Sequence, residues 1–215
     1  SGYLENMMDD GNSEAERWSK PLHQMQGQTQ RMTRLVEDLL MLSRLEDEEK
    51  AAVRDPVAVS AILTSLLDDA RMLSGERAHD ITLEADESIW LRGSEKELSS
   101  ALSNLVFNAV QYTPAEGHIA VRWYRDDENI CFEVKDDGIG IAAQHVNRLT
   151  ERFYRIDAGR SREYGGTGLG LAIVKHVLDR HSARLEIESR PGVGSAFRCV
   201  FSKKLLIERD ASKTV

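Results

Sequence analysis

Residues 162–176, REYGGTGLGLAIVKH, place Gly165, Gly166, Gly168 and Gly170 within six positions, directly ahead of an apolar helical stretch. A glycine turn that opens a helix offers backbone N–H groups and the positive end of a helix dipole, which suits phosphate. The two common phosphate templates do not fit. A P-loop requires G-x-x-x-x-G-K-[ST], but Gly170 is followed by Leu171. The dinucleotide fingerprint G-x-G-x-x-[GA] reaches Ile173 when counted from Gly168 and Leu171 when counted from Gly166. The polar residues 160–164 before it also do not read as a strand.

Three further groups could do chemistry. Asp136-x-Gly138-x-Gly140 follows the alternating segment NICFEVKD, so a carboxylate stands at a strand end before a tight turn. Such a carboxylate can accept from an exocyclic amine such as that of adenine. Asp-Gly also marks hairpins, but residues 141–153 read as helical and do not return as a strand. In EKELSSALSNLVFNAVQY, Glu97, Asn104, Asn108 and Gln111 share a stripe beside the apolar face of Leu98, Ala101, Leu102, Leu105, Val106 and Ala109. Asn104 and Asn108, one turn apart, either present oxygens to a hard cation such as Mg²⁺ or cap a loop. Arg148, Arg152, Arg155, Arg160 and Arg162 lie between the two glycine sites. They read either as a basic cover over a polyphosphate or as a solvated loop that pairs with acidic surface.

These groups need elements to hold them. Residues 57–74, 95–112, 142–150 and 169–181 have helical spacing. DITLEA and SIWLRG read as short strands. HIAVRWYR with NICFEVKD, and RLEIES with AFRCVF, read as hairpins. That order specifies an α+β fold, an α/β sandwich with helices packed on one face of a mixed sheet. Ahead of it, Trp18, Leu22, Met25, Thr29, Met32, Val36 and Leu39 step 4-3-4-3-4-3 along a long helix whose start is marked by Ser13 and Glu16. Pro21 near its first turns is a candidate kink. The heptad seam calls for a partner helix, so a dimerisation helix is expected; the alternative is a helix lying on its own globular domain. EDEEKAAVRDP, ending at Pro56, reads as a linker.

The 215 residues carry 36 acidic against 28 basic side chains, a net charge of −8, which is a poor match to nucleic acid. Cys131 and Cys199 lie far apart in alternating apolar segments and read as reduced sheet residues. No apolar run reaches the length of a membrane span.

In this order, the motifs resemble the ATP-binding domain of sensor histidine kinases, part of the group that includes gyrase, Hsp90 and MutL. SNLVFNAVQYTP is similar to the N box of that family, DDGIGI to the G1 box, LTERFYRID to the F box, GGTGLGLAIVKH to the G2 box and SRPGVGSAF to its last glycine turn. The resemblance implies ATP and Mg²⁺ as cofactors. It assigns Mg²⁺ to Asn108, a supporting catalytic role to Asn104, proximity to the nucleotide to Tyr112, the adenine amine to Asp136, and phosphate contacts to Arg152 or Arg155. Gly138, Gly140 and Ile141, with Gly166, Thr167, Gly168, Leu169, Gly170 and Leu171, would line the nucleotide. Relatives often carry a lysine or arginine where this chain has Gln111, which puts one phosphate contact in question.

TQRMTRLVEDLLMLSRLE resembles the second helix of the family's dimerisation and phosphotransfer domain, and GYLENMM the end of the first. The implied layout is 1–49 from that domain, 50–56 linker, 57–207 the ATP-binding domain and 208–215 a tail. The segments 149–176 and 118–125 look closest to the branch of the family that signals phosphate limitation. The implied partners are a second copy of the chain and a response regulator receiver domain. The parent protein would be anchored in the bacterial inner membrane by upstream segments, with this portion on the cytoplasmic side. The H-E-x-x-T-P-type box that carries the family's phosphoacceptor is not found among the six histidines; His23 is followed by QMQGQ, and the other five read as surface or hairpin residues. The chain is therefore expected to begin downstream of that box and to bind ATP without phosphorylating itself. The hydrolytic relatives use a glutamate on the amide helix to activate water. Asn104 stands in its place and is no base at neutral pH.

Overall fold

The computed structural model describes residues 14–46, 55–156 and 167–208. Helix α1 (Glu14–Glu46) precedes strand β1 (Asp55–Val57), α2 (Val59–Ser74), β2 (Asp80–Ala85), β3 (Ile89–Gly93), α3 (Glu95–Tyr112), β4 (His118–Arg125) and β5 (Asn129–Asp136). A one-turn helix α4 (Ala143–Val146), then α5 (Gly170–Arg180), β6 (Arg184–Arg190), β7 (Gly194–Ser202) and β8 (Leu206–Glu208) follow. The main sheet has the order β2-β4-β5-β7-β6, with β2 parallel to β4 and the other pairs antiparallel. A small antiparallel sheet, β1-β3-β8, stands apart from it.

Period-two alternation gives the main sheet two unlike faces. Inward rows run across the strands in register: Trp123 with Phe132 and Cys199, and Val121 with Val134 and Phe197. All six are buried, and α2, α3 and α5 cover them. The outward face carries charge pairs instead, with Arg122 on Glu84 at 3.0 Å and Arg198 on Glu186 at 2.6 Å. The expected α/β sandwich is therefore the fold observed. The two cysteines sit as free thiols in adjacent strands, and burial pushes the Cys131 thiol up to about 11.

Several details differ from the sequence reading. SIWLRG pairs not in the main sheet but in the small one, between two three-residue strands that no periodicity could reveal. Asp55 and Pro56, read as linker, form edge strand β1, a position that tolerates the missing proline N–H. The helix expected over 142–150 closes after Val146 and continues as turns. Ser13 lies outside the described residues. His181, read as a surface residue, is 1% exposed. Its Nδ1 meets the Val177 carbonyl at 2.8 Å and its Nε2 accepts from the Ser94 N–H at 3.2 Å, tying the end of α5 to the start of α3.

The alternative reading of α1, a helix lying on its own domain, holds for its last turns only. Leu22, Met25, Met32, Val36 and Leu39 are exposed, so the seam lies open. The last turns lie on the domain, with Leu42 and Leu45 in its core.

Candidate functional site

The inward row nearest the end of the sheet is Ile119, Asp136 and Ser195. Alternation thus turns Asp136 toward the helices, where it is 8% exposed. Its Oδ1 accepts from the Gly138 N–H at 2.9 Å and from the Ser195 N–H at 3.3 Å. Burial raises the carboxyl above its ordinary range, and the two backbone donors pull the other way. With Oδ1 held this way, Oδ2 is left to accept from a ligand.

The turn after Asp136 must be glycine for steric reasons. A Cβ on residue 138 would stand 2.6 Å from the Tyr112 carbonyl oxygen, and one on Gly140 (φ +64°) would stand 2.0 Å from the Arg190 carbonyl oxygen. The turn is tied to the end of α3 by the Ile139 N–H on the Tyr112 carbonyl at 3.2 Å. It is tied to the β6–β7 hairpin by the Ile141 N–H on Ser189 Oγ at 2.7 Å. Gly194, at φ +127°, passes so close that a Cβ would lie 2.0 Å from the Asp136 carbonyl oxygen. The sequence reading names none of Ser189, Gly194 and Ser195 individually, although all three fall within the SRPGVGSAF turn.

On α3, Asn104 donates to the Ser100 carbonyl at 2.8 Å, and its Oδ1 lies 2.3 Å from where a Cβ on Gly170 would be. Gly170 is thus what lets α5 approach the amide stripe. Gly168 (φ +75°) likewise lets the turn pass over Phe153 and Arg155. Thr167 Oγ1 accepts from the Leu169 N–H at 3.2 Å, and Leu169 is fully buried. The structure therefore brings the Asn104 side chain, Gly168, Gly170, Arg155 and the first turn of α5 together. Asp136, Gly138, Gly140, Ile141 and the Tyr112 carbonyl meet at the far end of the same helix α3. Gly166, Arg160 and Arg162 lie outside the described residues.

Two donors in this region are buried without an acceptor among the described residues: Gln111 Nε2 and Arg155 Nη2. Buried donors normally have partners. A phosphate oxygen is an acceptor of the right kind. The arginines of the basic run are not equivalent. Arg148 pairs with Glu151 at 3.1 Å and lies over the Tyr154 ring at 4.2 Å, as in the solvated-loop alternative. Arg152 reaches His176 at 3.5 Å and, after burial, helps hold that imidazole below its ordinary range. No group of three or more His, Cys, Asp or Glu side chains able to hold a metal occurs among the described residues. A cation here would rest on amide oxygen, phosphate and water, which suits Mg²⁺ better than a transition metal. A separate groove of ≈ 540 Å³, lined by Trp90, Ser99, Ser103 and Phe107 among others, lies between α2 and α3. Ser99, Ser103 and Phe107 stand on average about 120° round the helix from Asn104 and Asn108, so the groove opens on another face of α3.

A carboxylate buried at a sheet end, facing an amide-bearing helix and a glycine-opened one, belongs to a known class. Residues 93–205 match the family described as histidine kinase-, DNA gyrase B- and HSP90-like ATPase, and the chain belongs to that family. Within it, the chain is 51% identical over 210 residues to the phosphate regulon sensor protein PhoR of Pseudomonas aeruginosa, covering 98% of this chain and 47% of the relative. It is 38% identical over 209 residues to PhoR of Haemophilus influenzae, covering 97% and 48%. Among solved structures, full-length ShkA in complex with AMPPNP superposes with a TM-score of 0.74 at 21% identity, covering 94% of this chain and 41% of that one; this likeness speaks for the fold. The chain spans about half the length of the curated relatives it matches. No helix among the described residues is long and apolar enough to cross a membrane.

Proposed function

We propose that this chain is the dimerisation-helix and ATP-binding portion of a PhoR-type sensor histidine kinase. The whole protein would transfer the γ-phosphoryl group of ATP to a histidine and then to an aspartate of a PhoB-type response regulator under phosphate limitation. It would act as a homodimer, anchored in the bacterial inner membrane by segments upstream of these residues. The relatives' printed name and the extent of the likeness support this reading, and the site chemistry is consistent with it.

Asp136 carries the nucleotide assignment. An inward carboxylate fixed by two backbone N–H groups is preorganised to accept from the adenine amine. Gly138, Gly140 and Ile141 keep the backbone close enough for a flat base, beside Tyr112. Asn108 would hold Mg²⁺, which neutralises phosphate charge when bound. The first turn of α5, Thr167 to Leu171, and the donors of Arg155, Arg152 and Gln111 would hold the phosphates. In transfer, the bond from the γ-phosphorus to its bridging oxygen breaks, ADP leaves, and an N–P bond forms on the acceptor. Asn104, engaged with Ser100 and pressed on Gly170, supports α5 and offers water no base. Hydrolysis should therefore be slow, which separates this reading from a gyrase-type ATPase. Titration calorimetry with ATP, with and without Mg²⁺, tests the reading. Mg²⁺-enhanced binding that Asn108→Asp weakens would support it, and failure to bind ATP or ADP would overturn it.

A further inference from the structure

Helix α1 touches both ends of α5. At the far end, Arg180 donates to the Leu45 carbonyl at 3.4 Å while pairing with Glu97 at 3.3 Å. Leu42 and Leu45 are 2% and 5% exposed beneath this contact. At the near end, Thr167 Oγ1 donates to Asp38 Oδ2 at 2.7 Å, across 129 residues of sequence. Asp38 and Leu45 are seven residues apart, about two turns, so they share one face of α1.

Thr167 stands in the turn that opens α5, where the backbone N–H groups and helix dipole favour an anion. In the present arrangement that turn is already engaged. The Leu169 N–H donates to the Thr167 hydroxyl oxygen, and the hydroxyl proton goes to Asp38. The anion beside the turn is thus a carboxylate of the protein's own dimerisation helix. It is half-buried, where charge repulsion is weakly screened. Burial raises this carboxyl above its ordinary range, with Glu37 adding to the rise, while Thr167 and Arg34 offset part of it.

Resting on the reading of this turn as a phosphate site, we infer that Asp38 is a positioning residue that holds residues 167–170 in a self-satisfied form, so that docking of α1 on α5 and binding of a nucleotide polyphosphate oppose one another. The polyphosphate must take the Leu169 N–H from Thr167 and accept a second negative charge nearby, or displace Asp38. Linkage makes the effect reciprocal: whatever loosens α1 tightens nucleotide binding, and nucleotide loosens α1 by the same factor. The kinase's own dimerisation helix would thereby bias occupancy of its ATP site.

The test uses the 215-residue chain, Mg-AMPPNP as probe, calorimetry for affinity and hydrogen exchange for α1. Asp38→Asn, which keeps shape and removes charge, should bind Mg-AMPPNP tighter by on the order of fivefold or more. Leu42→Glu, which undocks the helix without touching the carboxylate, should do the same. The exposed-face control Met32→Asn should bind as wild type does. Mg-AMPPNP should speed amide exchange across residues 38–45 of wild type. Unchanged or weaker binding by both Asp38→Asn and Leu42→Glu, or slower exchange of α1 with nucleotide, overturns the inference while leaving the ATP site standing. A wild-type chain that binds no adenine nucleotide overturns both.

Discussion

Asp136→Asn is the substitution that isolates the proposed adenine contact, because it keeps volume and changes one oxygen to an NH₂. Oδ1 is already held by the Gly138 and Ser195 N–H groups at 2.9 and 3.3 Å. The amide oxygen must take that place, since an NH₂ facing two donors would leave all three unsatisfied. The new NH₂ then stands where Oδ2 was, donor against the adenine amine. Losing a hydrogen bond to a charged group costs about 1.5–3 kcal/mol, roughly tenfold to hundredfold in Kd. The same NH₂ can donate to guanine O6, which stands where adenine carries its amine, so the preference for ATP over GTP should shrink or invert. Competition titrations of wild type and variant with ATP and GTP read both effects, with circular dichroism to confirm the fold. The same site fixes a pH dependence. The amine needs the carboxylate, and burial raises the carboxyl of Asp136. Wild-type ATP affinity should therefore fall with acidification beginning above the ordinary aspartate range near 4, and the variant should lack this step. In the free chain the sign is opposite for stability: the folded state holds the proton more tightly than the unfolded one, so ionisation of Asp136 as pH rises lowers stability. Equal ATP affinities for wild type and Asp136→Asn, with the base preference unmoved, would show that Asp136 is a structural turn residue.

Other substitutions probe the frame around the site. Gly140→Ala should destabilise the chain by at least about 2 kcal/mol in urea unfolding, because φ +64° and a Cβ 2.0 Å from the Arg190 carbonyl oxygen leave no room for it. The open seam predicts concentration-dependent self-association; Met32→Glu should shift sedimentation toward the monomer while ATP affinity stays unchanged. With no histidine in an H-E-x-x-T-P setting, the chain should take up no acid-labile phosphate from [γ-³²P]ATP, whereas labelling at His23 would contradict the assigned division between binding and transfer.

The elements with strong periodicity are legible in the sequence alone. The stripe on α3, the helix behind Gly170 and both hairpins read directly from spacing, as did the strand-end position of Asp136. That Asp136 faces inward also follows from counting two residues at a time from Phe132 and Val134. What escaped the reading has little local signature. Strands of three residues, such as Asp55–Val57 and Leu206–Glu208, are too short to show alternation. Burial of His181 depends on Ser94, 87 residues away, and on the bare backbone of Gly93, where a Cβ would lie 2.7 Å from Nε2. The Thr167–Asp38 bond joins residues 129 apart in sequence, and a threonine in a glycine turn gives no sign of its partner.

Resonance-by-resonance mapping with Mg-AMPPNP tests the assigned site most directly. In ¹H–¹⁵N spectra of the chain, titration should shift the backbone amides of Gly138, Gly140, Ile141, Ser195 and Leu169–Leu171 together with the side-chain amides of Asn108 and Gln111. Asp136→Asn should weaken all of these shifts in parallel. Shifts confined to the Trp90–Phe107 groove between α2 and α3, or no shifts at millimolar nucleotide (a concentration far above an ordinary nucleotide Kd), would contradict the assignment of ATP to this site.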